Sequence, residues 1–222
     1  MQKKILFFHV PKTAGSSFRY ALEKIIPKEK IFYDYGILND LTKPVIKQWC
    51  KGEIKTTHFE KVIEKRDIML YGGHITHMRY QNFLPAFKRV TFIRDPLQRA
   101  YSEYNHRKGR GDFEISFEEF IERPQFINTL HKVFGSAENL KDLDFIGFTE
   151  YYQESIELFN KQFGYDIKVI VANVRRNSLD DQHHVSQATI ERFQTLNKDD
   201  IDLYNSLLEV FKKRITTNQN ID

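Results

Sequence analysis

The chain has 222 residues, enough for one sizeable α/β domain or two small ones. A hydrophobic fraction of 41%, with 19 Phe and 11 Tyr, excludes a disordered chain. The net charge of +4, from 34 Lys and Arg against 30 Asp and Glu, is too small to argue for nucleic acid and suits an anionic small ligand. The single cysteine, Cys50, excludes an intrachain disulfide framework.

Residues 1–4 lead directly into an apolar run without a signal-peptide pattern, and no stretch is apolar enough to span a membrane, so a cytoplasmic protein is expected. Residues 5–10 read as a strand buried on both faces, as in a parallel sheet. A tight loop follows: Pro11, Lys12, Thr13, Ala14, Gly15, Ser16, Ser17. Phe18, Leu22, Ile25 and Ile26 then mark one face of a helix. A strand, a loop rich in hydroxyls and a helix start direct backbone N–H groups and the positive helix end at whatever sits in front, which makes an anion site. The loop is not a Walker A motif, because its lysine comes first rather than last.

Residues 31–33 form a short second strand, while residues 34–66 give no clear pattern beyond a short helix near 45–49. Residues 67–71 form the next strand and run into Gly72, Gly73, His74 and, three residues on, His77. Ligands in open α/β sheets bind beyond the carboxyl ends of strands, which makes both histidines candidates. The alternatives are a turn-capping His74 and a surface His77, or a His-x-x-His metal pair; no cysteine or carboxylate stands close in sequence, so no metal is expected.

Residues 88–93 form a further strand, ending in Arg94. Asp95 is placed to cap a helix with Pro96 at its first position, and Leu97, Ala100, Tyr101 and Tyr104 form its apolar face. Arg99 and Ser102 share another face, and an arginine with a hydroxyl at a strand–helix junction suits a phosphate. Residues 106–111 read as a basic, glycine-bearing loop, with Arg107, Lys108 and Arg110 either solvated at a helix end or in contact with a cofactor or an acidic acceptor. Ser116 and Glu119 make a capping box, and residues 124–134 read as one helix. Thr149 is placed to cap a helix carrying Tyr152, Ile156, Phe159 and Phe163. Residues 167–171 read as the last strand, followed by Arg175 and Arg176 in a loop. Ser186 caps one helix, residues 197–200 open the final one, and residues 216–222 form a polar tail after a single domain of residues 1–215.

Two of these segments resemble the signatures of sulfotransferases that use 3′-phosphoadenosine 5′-phosphosulfate (PAPS). The segment His9-Val10-Pro11-Lys12-Thr13-Ala14-Gly15-Ser16-Ser17 is similar to the family's 5′-phosphosulfate loop. Arg94, Asp95, Pro96, Arg99 and Ser102 follow the order of its 3′-phosphate motif. The resemblance extends less tightly to Gly73-His74, which is similar to a pair in the sugar-acting 2-O-type enzymes, and to residues 145–150. It implies a P-loop NTPase-like three-layer α/β fold with a central parallel sheet of about four or five strands.

The resemblance further implies transfer of a sulfuryl group from PAPS to an acceptor hydroxyl, with a carbohydrate favoured and no metal required. Lys12 would stabilise the leaving charge, the loop residues 11–17 would hold the 5′-phosphate, Arg94 and Ser102 the 3′-phosphate, and His74 would act as base. Arg175 or Arg176 falls where the family closes a loop over the cofactor, although residues 173–178 depart from its Arg-Lys-Gly form. His77, Arg107, Lys108 and Arg110 are candidates on the acceptor side. The rival readings are a nucleotide-dependent kinase of the P-loop type and a PAPS-binding module without turnover.

Overall fold

A computed structural model describes residues 2–169 and 185–219 of the chain. In chain order the elements are β1 (Ile5–Phe8), α1 (Gly15–Glu23), β2 (Ile31–Asp34), α2 (Pro44–Cys50), α3 (Thr56–Lys65), β3 (Leu70–Gly73), α4 (His77–Tyr80), β4 (Lys88–Ile93), α5 (Pro96–Lys108), α6 (Phe117–Ile121), α7 (Thr129–Phe134), α8 (Ala137–Leu140), β5 (Phe145–Phe148), α9 (Tyr152–Phe163), α10 (Gln187–Leu196) and α11 (Lys198–Gln219). Among the described residues, no helix is long and apolar enough to cross a membrane.

The five strands form one parallel sheet in the order β2-β3-β1-β4-β5. β1 is central. Ile5 to Phe8 pair with Leu70 to Gly73 on one side and with Lys88 to Thr91 on the other. From β1 the chain moves towards β2, and from β4 it moves towards β5, so the carboxyl ends of β1 and β4 flank a topological switch point.

Strand alternation divides the core into two layers. Ile5, Phe7, Leu70, Val90 and Phe92 pack against Phe18 and Leu22 of α1 and Ile156 and Phe159 of α9. Leu6, Phe8, Tyr71 and Ile93 face the opposite way, onto α2, α3, α7 and α11. A third cluster joins α5, α6 and α10 through Tyr104, Phe117, Phe120 and Phe193.

Several expected elements take different forms. Among the described residues the last strand is β5, and residues 167–169 are not in a strand. Asn160 accepts from the Ile167 N–H at 3.0 Å and donates to its carbonyl at 2.9 Å, so both backbone groups are satisfied without a ladder. Residues 170 and 171 lie outside the described residues. β5 instead pairs Phe145 to Phe148 with Val90 to Ile93. Gly147 serves close packing there, since a Cβ would sit 2.5 Å from the Phe92 ring.

Thr149 does not cap α9; its hydroxyl donates to the Ile93 carbonyl at 3.0 Å, and a 3₁₀ turn intervenes. Residues 124–134 split into a 3₁₀ turn and α7, with Asn128 left-handed at φ 46° between them. α1 ends at Glu23, so Ile25 is exposed. Residues 106–108 form the last turn of α5 rather than a loop, and α11 continues through 219, where a tail was expected.

Phe18 is fully buried, with its ring 5.0 Å from Phe7, 4.8 Å from Phe92 and 4.9 Å from Phe159. Phe18→Ala therefore lowers stability by about 3–5 kcal/mol, read from denaturant unfolding. A change below about 1 kcal/mol would mean that α1 is not docked through this residue.

Candidate active site

The loop after β1 holds two left-handed residues, Lys12 at φ 70° and Ala14 at φ 60°. Such alternation turns successive N–H groups to one side and makes a concave anion nest. Thr13 is buried and locks the turn by donating from Oγ1 to the Val10 carbonyl at 2.8 Å. Ala14, the N-cap of α1, offers no side-chain cap, so the first N–H groups of the helix stay directed at the nest. Pro11, Lys12 and Ser16 are half-buried, and Gly15 and Ser17 are buried.

His9 stands where β1 enters this loop. Its N–H donates to the Gly73 carbonyl at 2.9 Å, joining the ends of β1 and β3. Its ring stacks on Phe7 with centroids 5.3 Å apart, and its Nδ1 lies 3.0 Å from the Tyr35 hydroxyl. A Cβ on residue 15 would meet His9 Cδ2 at 2.2 Å and Nε2 at 2.4 Å, so only glycine fits beneath the ring. Burial, and then the neighbouring His74, Arg19 and Lys12, lower the His9 pKa from 6.5 to about 3.

His74 follows β3 with an exposed edge. Its ring is edge-on to His9 at 5.1 Å and to Tyr35 at 4.8 Å. Burial against these neighbours lowers its pKa, and the carboxylate of Glu103 opposes that shift. α4, just beyond, is anchored by Tyr80, whose hydroxyl donates to the buried Asp34 at the end of β2.

His77 sits apart from this cluster. Its side chain is buried against Phe8 at 6.0 Å, with Nε2 3.5 Å from Asp142 and neither ring nitrogen hydrogen-bonded. Burial lowers its pKa.

Arg94, at the end of β4, is half-buried. Its Nε is buried without a hydrogen-bond partner, and its Nη2 reaches Gln98 at 3.4 Å. Burial lowers its pKa although Glu150 and Asp95 favour the charge. Asp95 caps α5 by accepting from the Gln98 N–H at 2.8 Å, with Pro96 at the first turn. An orphaned guanidinium N–H beside a switch-point loop fits an oxyanion ligand.

Ser102 lies half-buried further along α5. Arg99 is buried and donates to Thr129 at 2.8 Å, with Glu103 and Asp200 supplying negative charge. Arg107 is held by Glu103 at 2.6 Å, Lys108 by the Tyr104 hydroxyl at 3.2 Å, and Arg110 by Asp112 at 3.6 Å. Arg175 and Arg176 lie outside the described residues. Among the described residues, no group of three or more His, Cys, Asp or Glu is placed to hold a metal ion.

His9, Tyr35, Arg19 and Glu103 belong to this region although no site role follows for them from the sequence alone. His9 immediately precedes Val10 and the loop, and Glu103 is four residues from Arg99 on α5; those spacings were the available signals. Tyr35 and Arg19 meet His9 only through the fold.

A three-layer α/β fold with an anion loop at its switch point is the phosphate-loop class of architecture. The model of the sulfotransferase family matches residues 1–206, and the chain belongs to that family of enzymes. The solved structure of mouse sulfotransferase SULT7A1 complexed with PAP is similar at a TM-score of 0.58 and 12% identity, covering 94% of this chain and 89% of that one. A sulfotransferase from Alicyclobacillus acidocaldarius aligns over 92% of this chain and 100% of that one, at 14% identity and a TM-score of 0.46. No curated protein sequence matches the chain.

Two outcomes follow from this geometry. Gly15→Ala forces the His9 ring to move, costing about 1–3 kcal/mol of stability by overpacking; calorimetry should show weakened pyrophosphate binding by a folded variant, and unchanged binding would contradict the described packing. His9, whose folded pKa lies below its unfolded value, contributes stability that is present above pH 6.5 and lost as pH falls towards about 3. The stability–pH curve of His9→Gln should therefore be flatter across that window.

Proposed function

We propose that the protein transfers a sulfuryl group from PAPS to an acceptor hydroxyl, with a carbohydrate as the favoured acceptor class. The observation that carries this reading is that three features follow the carboxyl ends of neighbouring strands: the loop of residues 11–17, the orphaned Arg94 Nε and the His74 ring. When bound, PAPS supplies the activated sulfuryl group and a nucleotide leaving group. The mouse relative solved with PAP supports a nucleotide of this kind.

The residues divide the work as follows. Backbone N–H groups of the nest and the hydroxyls of Ser16 and Ser17 bind the 5′-phosphate side. Arg94 and Ser102 take the 3′-phosphate, which distinguishes this ligand from ATP. Lys12 places a fixed positive charge where negative charge gathers during transfer. His74 is uncharged at neutral pH because its pKa is lowered, so an imidazole nitrogen can accept the proton of the acceptor hydroxyl. The carbohydrate assignment is supported by the resemblance of Gly73-His74 to sugar-acting enzymes. Arg107, Lys108 and Arg110 are the cations to examine if the sugar is polyanionic.

Mass spectrometry of a carbohydrate panel incubated with PAPS tests the activity. Lys12→Ala should reduce kcat by about 10²–10³-fold, and His74→Ala by about 10²–10⁴-fold. Full turnover by both variants would contradict the roles given to them. The acidic limb of kcat/KM should lie below the ordinary histidine pKa of 6.5, because burial lowers that of His74. Since Glu103 raises it, Glu103→Gln should move the limb to still lower pH.

A further inference from the structure

His9 is a buried side chain applied to the loop, and its two ring nitrogens face different surroundings. The Nδ1 side meets the Tyr35 hydroxyl at 3.0 Å. The Cδ2–Nε2 edge lies over Gly15, where an added Cβ would stand 2.2 Å and 2.4 Å from those two atoms. Phe7 closes one face of the ring, stacked at an interplanar angle of 17°.

Burial raises the Tyr35 pKa, with the Arg19 guanidinium opposing that shift, so the hydroxyl keeps its proton. That proton is available to the His9 Nδ1 at 3.0 Å. With Tyr35 as the donor to Nδ1, the imidazole would carry its own proton on Nε2, at the edge that lies over Gly15 of the loop.

We propose that His9 is an uncharged N–H donor, from Nε2, to the anion seated in the loop of residues 11–17, and that Tyr35 is the positioning residue that fixes this tautomer. The identity of that anion, the phosphosulfate end of PAPS, rests on the function proposed above. His9 and His74 then have different tasks although their rings are 5.1 Å apart. His74 exchanges a proton at the exposed edge, whereas His9 keeps its proton and lends only its N–H dipole. The arrangement adds a donor to a loop already carrying Lys12 without a second cationic charge.

The variants exploit side-chain geometry. The amide nitrogen of Gln reaches the place of Nε2, whereas that of Asn reaches only the place of Nδ1. In calorimetric titrations with 3′-phosphoadenosine 5′-phosphate (PAP), His9→Gln should bind within about threefold of wild type, and His9→Asn should lose about tenfold or more. Heteronuclear NMR of the imidazole nitrogens should find the His9 proton on Nε2, and Tyr35→Phe should shift it partly to Nδ1 while thermal melts show a folded protein.

A proton found on Nδ1 in wild type, or equal binding by the Gln and Asn variants, would overturn the inference. Wild type that fails to bind PAP would instead contradict the function proposed above. The same variants titrated with pyrophosphate then decide the donor by itself: the same Gln-over-Asn order supports it, and no order, or no binding, overturns it.

Discussion

The ring of His9 occupies the space that any side chain at residue 15 would need. That exclusion holds three parts of the protein together. β1 ends at the ring, α1 begins beneath it at Gly15, and the carbonyl of Gly73 accepts the His9 N–H from the end of β3. With β1 paired on both sides, the ends of β3 and β4 are fixed relative to the loop, and His74 and Arg94 inherit their places from that pairing. The concavity thus rests on a parallel register and one close approach of a ring to a backbone.

The electrostatics follow from the same packing. Two imidazoles meet edge to face near Lys12, and burial lowers the pKa of each. The cationic character of the region therefore comes from the helix end and from the Lys12 and Arg94 side chains rather than from the imidazoles. Glu103 is the counterweight: a buried carboxylate held by Arg107 at 2.6 Å, it favours charge on both Arg99 and His74. A site of this kind meets an anion with little reorganisation, which suits a transfer where alignment and charge stabilisation do most of the catalytic work.

Much of this was legible in the sequence because some signals are local. The uninterrupted run Ile5 to Phe8 is buried on both faces, Asp95 and Pro96 begin α5, and Ser116 with Glu119 form the full capping box. The loop of residues 11–17 and Arg94 each follow a strand, so their placement at the carboxyl end of the sheet required only parallel topology. β5 was hidden because Gly147 interrupts its apolar run; that glycine admits the Phe92 ring from the neighbouring strand. Ile167 to Val169 has strand-like composition, but a side chain seven residues earlier satisfies the Ile167 backbone. Nothing in the sequence joins His9 to Tyr35 across 26 positions, or sets Glu103 near His74, until β1, β2 and α5 are placed. α2 and α3, which fill most of the stretch that gave no clear pattern, have few caps to announce them; neither has a side-chain N-cap bond.

The central claim is that the pocket reads a nucleotide bearing a 3′-phosphate through Arg94. Calorimetric titration of wild type and Arg94→Ala with PAP and with ATP tests it most directly. The account predicts that wild type binds PAP more tightly than ATP, and that the substitution removes about tenfold or more of the PAP affinity while changing ATP little. Equal or tighter binding of ATP, unaffected by Arg94→Ala, would contradict it.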